Sequence, residues 1–312
     1  MIEINNLVKY YGNKKAVNGI SFTVKKGEVL GFLGPNGAGK STTMNIVTGY
    51  LSSTSGTVKV NGHDILEEPE EAKKNIGYLP EIPPLYTDMT VLEYLRFMCD
   101  LKGVEKGKRK EMLARILAMV KIVDVSDRLI GNLSKGYKQR VGIAQALVGD
   151  PEILILDEPT VGLDPNQILE IRKLIRNLAK NHTVILSSHI LSEVQAVCDR
   201  VVIINKGKVA AIDTITDLAQ RLNGSSKMLL SFKGPVKQVM SAIHSIPGVN
   251  SVNSRISDNE IHEIEIGIGN NNTGDIRSSI FFTMAKGGWP ILEFRSLDPT
   301  LEEIFLSITG GV

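Results

Sequence analysis

The chain has 312 residues, of which 42% are hydrophobic and 22% charged, so it can bury a substantial core and is neither disordered nor fibrous. Its 36 basic and 34 acidic residues leave a formal net charge of +2, which is too small to indicate a nucleic-acid partner. Cys99 and Cys198 form no metal-binding spacing or disulfide framework, which favours the cytoplasm. Apolar runs fall short of the roughly 18 residues that span a bilayer, so we predict no membrane span.

Short β-branched runs alternate with longer helical patterns from about Val29 to Ile204, which predicts an α/β domain around a buried parallel sheet. Alternating patterns near the N-terminus add a small antiparallel β subdomain, and we expect a helical insert over about residues 88–148. The strand candidates of the parallel sheet are Val29–Leu33, Ile153–Leu156, Val184–Ser187 and Arg200–Asn205.

A second domain is predicted after the first. We place the first domain at residues 1–210, a helix and polar linker at 211–225, and an accessory domain at 226–312. The patterns of the accessory domain follow the order βαββαβ, which is typical of an α+β ferredoxin-like fold, and a final helix is predicted in PTLEEIFLSIT.

Residues 34–41, GPNGAGKS, match the phosphate-binding loop pattern between an apolar run and a helical pattern. Backbone N–H groups in such a loop bind phosphate, the lysine reaches the β- and γ-phosphates, and the serine hydroxyl is a ligand for Mg²⁺. The predicted nucleotide-binding residues here are Gly34, Pro35, Asn36, Gly37, Ala38, Gly39, Lys40, Ser41 and Thr42.

The run ILILDEPT, residues 153–160, predicts a buried strand that ends in two carboxylates. Beside a phosphate-binding loop, Asp157 is placed to hold Mg²⁺ and Glu158 to activate the attacking water. A solvated loop is the alternative for such an Asp-Glu pair.

With these motifs, residues 1–210 resemble the nucleotide-binding subunit of an ATP-binding cassette (ABC) transporter, a P-loop NTPase. The resemblance rests also on Tyr11 in KYYGNKKAV, LSKGYKQR at 133–140, GLDP at 162–165 and a histidine after TVILSS. It implies ATP and Mg²⁺ as cofactors, and a homodimer in which Ser134 and Gly136 face the γ-phosphate bound by the second copy. Ser134 is also a good helix cap, which is its alternative role.

Three further positions take roles from the resemblance. Tyr11 would stack on adenine, although Tyr10 or a core role remains open. His189 would donate a hydrogen bond to the γ-phosphate as part of the catalytic site. Asp164, followed by proline, would link the two active sites of the dimer or serve as a turn residue.

One departure from the family is expected to matter. The family usually has Gln where we align Ile82, and isoleucine cannot hydrogen-bond to Mg²⁺ or water, so hydrolysis or coupling could be altered. Alternatively, the adjacent Glu81 substitutes for the missing amide, against which stands the opposite direction of adjacent side chains in an extended segment, or Ile82 packs between the lobes. Pro83–Leu95 is predicted to line a groove for a short helix of a membrane subunit, with packing against the helical insert as the alternative.

The leading hypothesis is a cytoplasmic ATPase subunit on the inner face of the cell membrane that drives an integral membrane permease for export. LSKGY and the tail SLDPTLEEIFLSITG resemble the subgroup that serves multidrug, antibiotic-resistance, polysaccharide and gliding-motility exporters. An ATP-gated regulatory module with little hydrolysis and a soluble non-transport ABC ATPase are the alternatives.

Overall fold

The computed structural model describes residues 1–214, 217, 225–258, 261–269, 276–296 and 305. The described residues up to 214 form one compact unit, and those from 225 onward belong to another. Most of the helix and linker predicted at 211–225 lies outside the described residues. The closing helix predicted in PTLEEIFLSIT also lies outside them, apart from residue 305.

The first unit contains strands and helices in alternation, as the sequence predicts. Its strands are β1 (Ile2–Tyr11), β2 (Lys14–Val24), β3 (Val29–Leu33), β4 (Ser55–Val60), β5 (His63–Asp64), β6 (Ile76–Leu79), β7 (Ile153–Asp157), β8 (Thr183–Ser188), β9 (Arg200–Asn205) and β10 (Lys208–Thr214). Its helices are α1 (Lys40–Val47), α2 (Pro69–Lys74), α3 (Val91–Leu101), α4 (Lys106–Met119), α5 (Lys135–Leu147), α6 (Pro165–Leu178) and α7 (Leu191–Val197).

The central sheet has the strand order β10-β9-β3-β8-β7-β6, and it is parallel except for β10. Every residue of β3, β7 and β8 is buried, which explains why these strands appear in the sequence as uninterrupted apolar runs. The four predicted strands are confirmed to within one residue at each end, while β6 and β10 were not predicted. Because β3, β8 and β7 are parallel neighbours, the loops that follow them begin at one edge of the sheet.

The predicted antiparallel subdomain is also confirmed. Its strand order is β2-β1-β4-β5, and its apolar face shares one hydrophobic cluster with the parallel sheet. In this cluster the rings of Phe22 on β2 and Phe32 on β3 lie 5.5 Å apart. The two sheets therefore form a single core that supports the loop after β3.

The helical insert contains α3, α4 and α5, with short 3-10 helices at Val123–Val125 and Ile130–Asn132. Helix α3 begins at a capping box in which Thr90 and Glu93 satisfy each other's backbone N–H groups. Among the described residues, no helix is both long and apolar enough to cross a membrane.

In the second unit, residues 225–258, 261–269 and 276–296 form an antiparallel sheet and two helices. Its elements are β11 (Ser225–Phe232), α8 (Val236–His244), β12 (Val249–Asp258), β13 (Ile261–Gly269), α9 (Ile276–Gly287) and β14 (Ile291–Ser296). The strand order is β12-β13-β11-β14. Val239 of α8 and Ile280 of α9 pack in one cluster with Leu230 and Ile264 of the sheet, so this unit has its own core.

Candidate active site

The phosphate-binding loop connects β3 to α1, and two of its glycines are required by the backbone. A Cβ on Gly34 would lie 2.5 Å from the carbonyl oxygen of Ile204. Gly39 has φ 106°, and a Cβ there would lie 2.6 Å from the carbonyl oxygen of Ala16. No other residue fits either position without moving the backbone, so the tight loop depends on its glycines.

Lys40 is buried at the start of α1 and points back into the loop. Its Nζ donates a hydrogen bond to the carbonyl oxygen of Gly34 at 2.8 Å and lies 3.6 Å from Oε1 of Glu158. The side chains of Lys40 and Glu158 are only 6% and 7% exposed. The cation of the loop and the carboxylate after β7 therefore meet in a place that solvent hardly reaches.

A cavity of about 790 Å³ opens beside this loop. The predicted site residues among those that line it are Tyr11, Asn36, Gly37, Gly39, Lys40, Ser41, Thr42, Glu158 and His189. Glu81, considered above as a substitute for the family's Gln, also lines it, and the lining residues that the sequence did not indicate are Lys14, Lys15, Ala16, Val161, Lys206 and Gly207. Gly34 and Ala38 are buried beneath the loop and Pro35 is half-buried, so these three shape the loop rather than line the cavity.

The two adjacent tyrosines at the end of β1 differ in position. Tyr11 lines the cavity, and its ring is approached by Nζ of Lys9 at 5.6 Å from the centroid. Tyr10 does not line the cavity, and Lys15 covers its ring instead. Tyr11 is 48% exposed, which excludes a core role and leaves one ring face for a planar ligand.

Asp157 ends β7 and is 2% exposed. Its Oδ1 has no hydrogen-bond partner among the described residues, and neither has the hydroxyl of Ser187 on the neighbouring strand. Burial raises the pKa of Asp157, while the nearby hydroxyls of Ser187 and Ser41 oppose this rise. A buried carboxylate with an unpartnered oxygen suits a hard cation, because Mg²⁺ takes few protein ligands and completes its shell with phosphate and water.

Glu158 lies in a left-handed backbone conformation with φ 49°, which is uncommon for a residue with a side chain. Its N–H donates to the carbonyl oxygen of Ser187 at 3.0 Å. Nδ1 of His189 lies 3.0 Å from Oε1 and 2.9 Å from Oε2 of Glu158. The turn therefore aims the carboxylate at His189 and Lys40 together, which disfavours a solvated loop for Glu158.

The remaining predicted positions lie outside the cavity. Ser134 caps α5, and its Oγ accepts a hydrogen bond from the N–H of Tyr137 at 3.4 Å. Asp164 caps α6 and accepts one from the N–H of Gln167 at 2.9 Å. A Cβ on Gly136 would lie 2.7 Å from Gln167, so the two helix starts touch each other. Within one chain, Ser134, Gly136 and Asp164 therefore lie together at two neighbouring helix starts. None of them lines the cavity beside the phosphate-binding loop.

Ile82, which we aligned with the family's Gln, does not reach the cavity beside the phosphate-binding loop. The side chain of Ile82 is 82% exposed and does not line the cavity, so it also does not pack between lobes. Its neighbour Glu81 lines the cavity, and its negative charge contributes to the raised pKa of Asp157. Glu81 and Ile82 lie in a bend after β6, and of the two only Glu81 lines this cavity, which favours Glu81 as the substitute.

Comparison with known proteins agrees with the geometry. A family model described as ABC transporter matches residues 17–161. The linearmycin resistance ATP-binding protein LnrL of Bacillus subtilis (strain 168) is 38% identical over 99% of this chain and 98% of its own length. The bacitracin transport ATP-binding protein BcrA of Bacillus licheniformis is 34% identical over 100% of this chain and 98% of its own length.

Solved structures show the same similarity. An ATP-binding subunit of an ABC transporter is 30% identical with a TM-score of 0.65, over 71% of this chain and 93% of that one. A dimeric post-hydrolysis ATP-binding cassette bound to ADP and Pi is 25% identical with a TM-score of 0.63, over 69% of this chain and 99% of that one. The chain therefore belongs to the ATP-binding proteins of ABC transporters, and it is an ABC ATPase that binds and hydrolyses ATP.

Proposed function

We propose that this ATPase drives export of an antibiotic or a similar compound through a separate integral membrane permease, from the cytoplasmic face of the cell membrane. LnrL and BcrA, whose names refer to linearmycin resistance and bacitracin transport, are similar over essentially the whole chain. The LSKGY segment and the C-terminal tail support the same subgroup.

The observation that carries the proposed chemistry is the contact of Lys40, Glu158 and His189 at one edge of the cavity. Lys40 would leave the carbonyl of Gly34 to bind the β- and γ-phosphates, while the loop N–H groups hold the remaining oxygens. Glu158 would then take a proton from the attacking water. His189 would donate a hydrogen bond from Nε2 to the γ-phosphate.

The proposed metal is Mg²⁺, held by Ser41 and Asp157. The unpartnered Oδ1 of Asp157 supports this assignment, and a bound Mg²⁺ would neutralise charge on the transferring phosphoryl group. Because the ion competes with a proton for Asp157, its apparent affinity should fall as the pH falls through the raised pKa of this residue.

The proposed active unit is a homodimer. Ser134 and Asp164 are exposed at two helix starts that touch each other but not the cavity of their own chain, so a second copy could present them to the nucleotide. Gly136, two residues after Ser134, is buried against Gln167 within one chain, and its place in the first turn of α5 would direct its N–H toward phosphate bound by the second copy. Tyr11, which lines the cavity, would stack on adenine.

A second cavity, of about 760 Å³, supports the permease as partner. Tyr50, Ile82, Pro84 and Met98 form its apolar part, and its lining also includes Ser41, Glu81 and Asp157 beside the phosphate-binding loop. Tyr50 and Ile82 are 79% and 82% exposed, which is unusual for large apolar side chains and fits a groove for a short helix of the permease. The ring of Tyr86 instead packs against Tyr94 and Phe97 of α3. This contact agrees with the alternative prediction that the segment packs against the helical insert.

Crosslinking can test the partner, because both native cysteines are buried and burial raises the pKa of their thiols. A cysteine introduced at Ile82 should crosslink to the permease, whereas one at exposed Glu111 should not. Equal crosslinking from both positions in an active complex would contradict the groove.

For the C-terminal region, we propose a ferredoxin-like accessory domain over residues 226–312 that contributes dimer contacts or regulation. The strand order β12-β13-β11-β14 with two intervening helices supports this fold. The phosphate-binding loop and every lining residue of its cavity belong to the first domain, proposed at residues 1–210.

ATP hydrolysis by purified protein tests the proposed roles. Glu158→Gln keeps the shape of the site but removes the base, so turnover should fall by about 10²-fold or more while ATP binding is retained. Glu111→Gln makes the same chemical change on the exposed face of α4 and should leave turnover unchanged. Turnover of the Glu158 variant within a few-fold of wild type would refute the role. Hydrolysis that stays negligible in wild type with the permease present would favour the regulatory module.

A further inference from the structure

Glu193 is a buried carboxylate that the proposed mechanism does not use. It lies in the first turn of α7 and is 2% exposed. Its Oε2 accepts a hydrogen bond from Oγ of Ser188 at 2.9 Å, and its Oε1 has no partner among the described residues. Burying a carboxylate with one hydrogen bond is unfavourable compared with an apolar side chain, so stability alone gives little reason for a glutamate here.

The hydrogen bonds of Ser188 connect this carboxylate to the residue beside it. The hydroxyl of Ser188 donates its hydrogen bond to Glu193, so the lone pairs of Oγ remain available as acceptors. They accept a hydrogen bond from the N–H of Ile190 at 3.0 Å. Ser188 and Ile190 are the residues on either side of His189. The backbone is therefore held on both sides of the imidazole whose Nδ1 contacts Glu158.

We propose that Glu193 is a positioning residue for hydrolysis: through Ser188 it fixes the backbone around His189 and so holds the imidazole against Glu158. The inference rests on the proposed role of Glu158 as the base. It assigns to Glu193 no contact with ATP, so loss of this residue should lower the rate of the chemical step and leave nucleotide affinity unchanged. A residue needed only for folding would lower the amount of active protein without this separation.

Steady-state ATPase measurements on the full-length chain test the proposal with four variants. Glu193→Leu and Ser188→Ala should each lower kcat by about tenfold or more, since a displaced catalytic group is costly, with KM and ATP affinity within about twofold of wild type. Glu193→Gln keeps an oxygen acceptor for Ser188 and should retain most of kcat. Ser231→Ala removes a buried hydroxyl in the second unit and serves as the control.

Three outcomes would overturn the proposal: kcat of Ser188→Ala within twofold of wild type, Glu193→Gln as impaired as Glu193→Leu, or an equal loss of ATP affinity. Ser188→Ala only removes one oxygen atom, so this variant should fold. It therefore tests the proposal even if Glu193→Leu does not fold. The double variant Ser188→Ala/Glu193→Gln should have the same kcat as Ser188→Ala alone, because both substitutions act on one hydrogen bond. If Glu158→Gln retains wild-type turnover while the Glu193 and Ser188 variants lose it, the proposed role of Glu158 as the base is refuted. The effect of Glu193 on turnover would then still stand as an observation separate from that role.

Discussion

Replacing Asp157 by Asn should stabilise the first unit while it abolishes hydrolysis. The pKa of Asp157 is raised by burial even though the positive charge of Lys40 acts to lower it. The folded environment as a whole therefore disfavours the charged carboxylate. Asparagine keeps the shape and removes the charge. Metal-binding and catalytic residues commonly reduce stability in this way.

The size of the effect follows from the burial of Asp157 and its unpartnered oxygen. A buried neutral polar group without a partner costs about 1–3 kcal/mol and a charged one costs more, so removing only the charge should stabilise the fold by on the order of 1 kcal/mol at pH 7. With urea slopes of about 1–3 kcal/mol per molar, the urea midpoint should rise by roughly half a molar.

The effect has a defined pH dependence. Because the folded-state pKa is raised, the wild-type fold binds a proton that the unfolded chain has already released, so its stability falls as the pH rises from the usual value of 3.8 to the raised one. The Asn variant lacks this loss. Its advantage should therefore be complete above the raised pKa and should disappear below pH 3.8.

Urea unfolding with EDTA and without nucleotide measures this difference. Trp289, the one tryptophan of the sequence, lies in the second unit, so its fluorescence follows that unit while circular dichroism follows both. An Asn variant less stable than wild type at pH 7, or an advantage that grows as the pH falls, would refute the reasoning.

Three further changes have definite expected results. Lys40→Ala should weaken ATP binding about tenfold or more, since a hydrogen bond to a charged group is worth about 1.5–3 kcal/mol; unchanged affinity in calorimetry would contradict the phosphate contact. Ile82→Gln should leave turnover within about twofold, because its side chain is outside the cavity; a large increase in ATPase rate would show instead that the missing amide limits hydrolysis. Glu81→Gln should move the acid limb of the pH–rate profile to lower pH, because it removes a charge that raises the pKa of Asp157; a shift to higher pH would show the opposite coupling.

Much of the fold was predictable because local chemistry determines it. The buried parallel strands are continuous apolar runs, and β3 and β9 have the predicted bounds. Strand β6 was not predicted because it has four residues and its pairing partner β7 lies far away in sequence. Strand β10 pairs with its sequence neighbour β9 but is half-exposed, so it lacks the uninterrupted apolar run of the buried strands. The phosphate-binding loop was predictable because its glycines, lysine and serine are consecutive.

The sequence could not show which distant side chains meet. Lys206 and Glu81 reach the cavity only because β9 is next to β3 and β6 is next to β7. The contact of His189 with Glu158 likewise depends on the order of β7 and β8. Likewise, the sequence could not show which of Glu81 and Ile82 lines the cavity, because the two residues lie in a bend whose shape is set by the fold.

The most direct test of a site completed by a second copy is the molar mass of Glu158→Gln with and without Mg-ATP, measured by light scattering during gel filtration. The slow variant should be monomeric without nucleotide and dimeric with Mg-ATP. Adding Ser134→Arg, which places a bulky side chain at the exposed start of α5, should abolish the dimer and leave ATP binding within about twofold. A variant that binds ATP at saturation and remains monomeric would contradict the account.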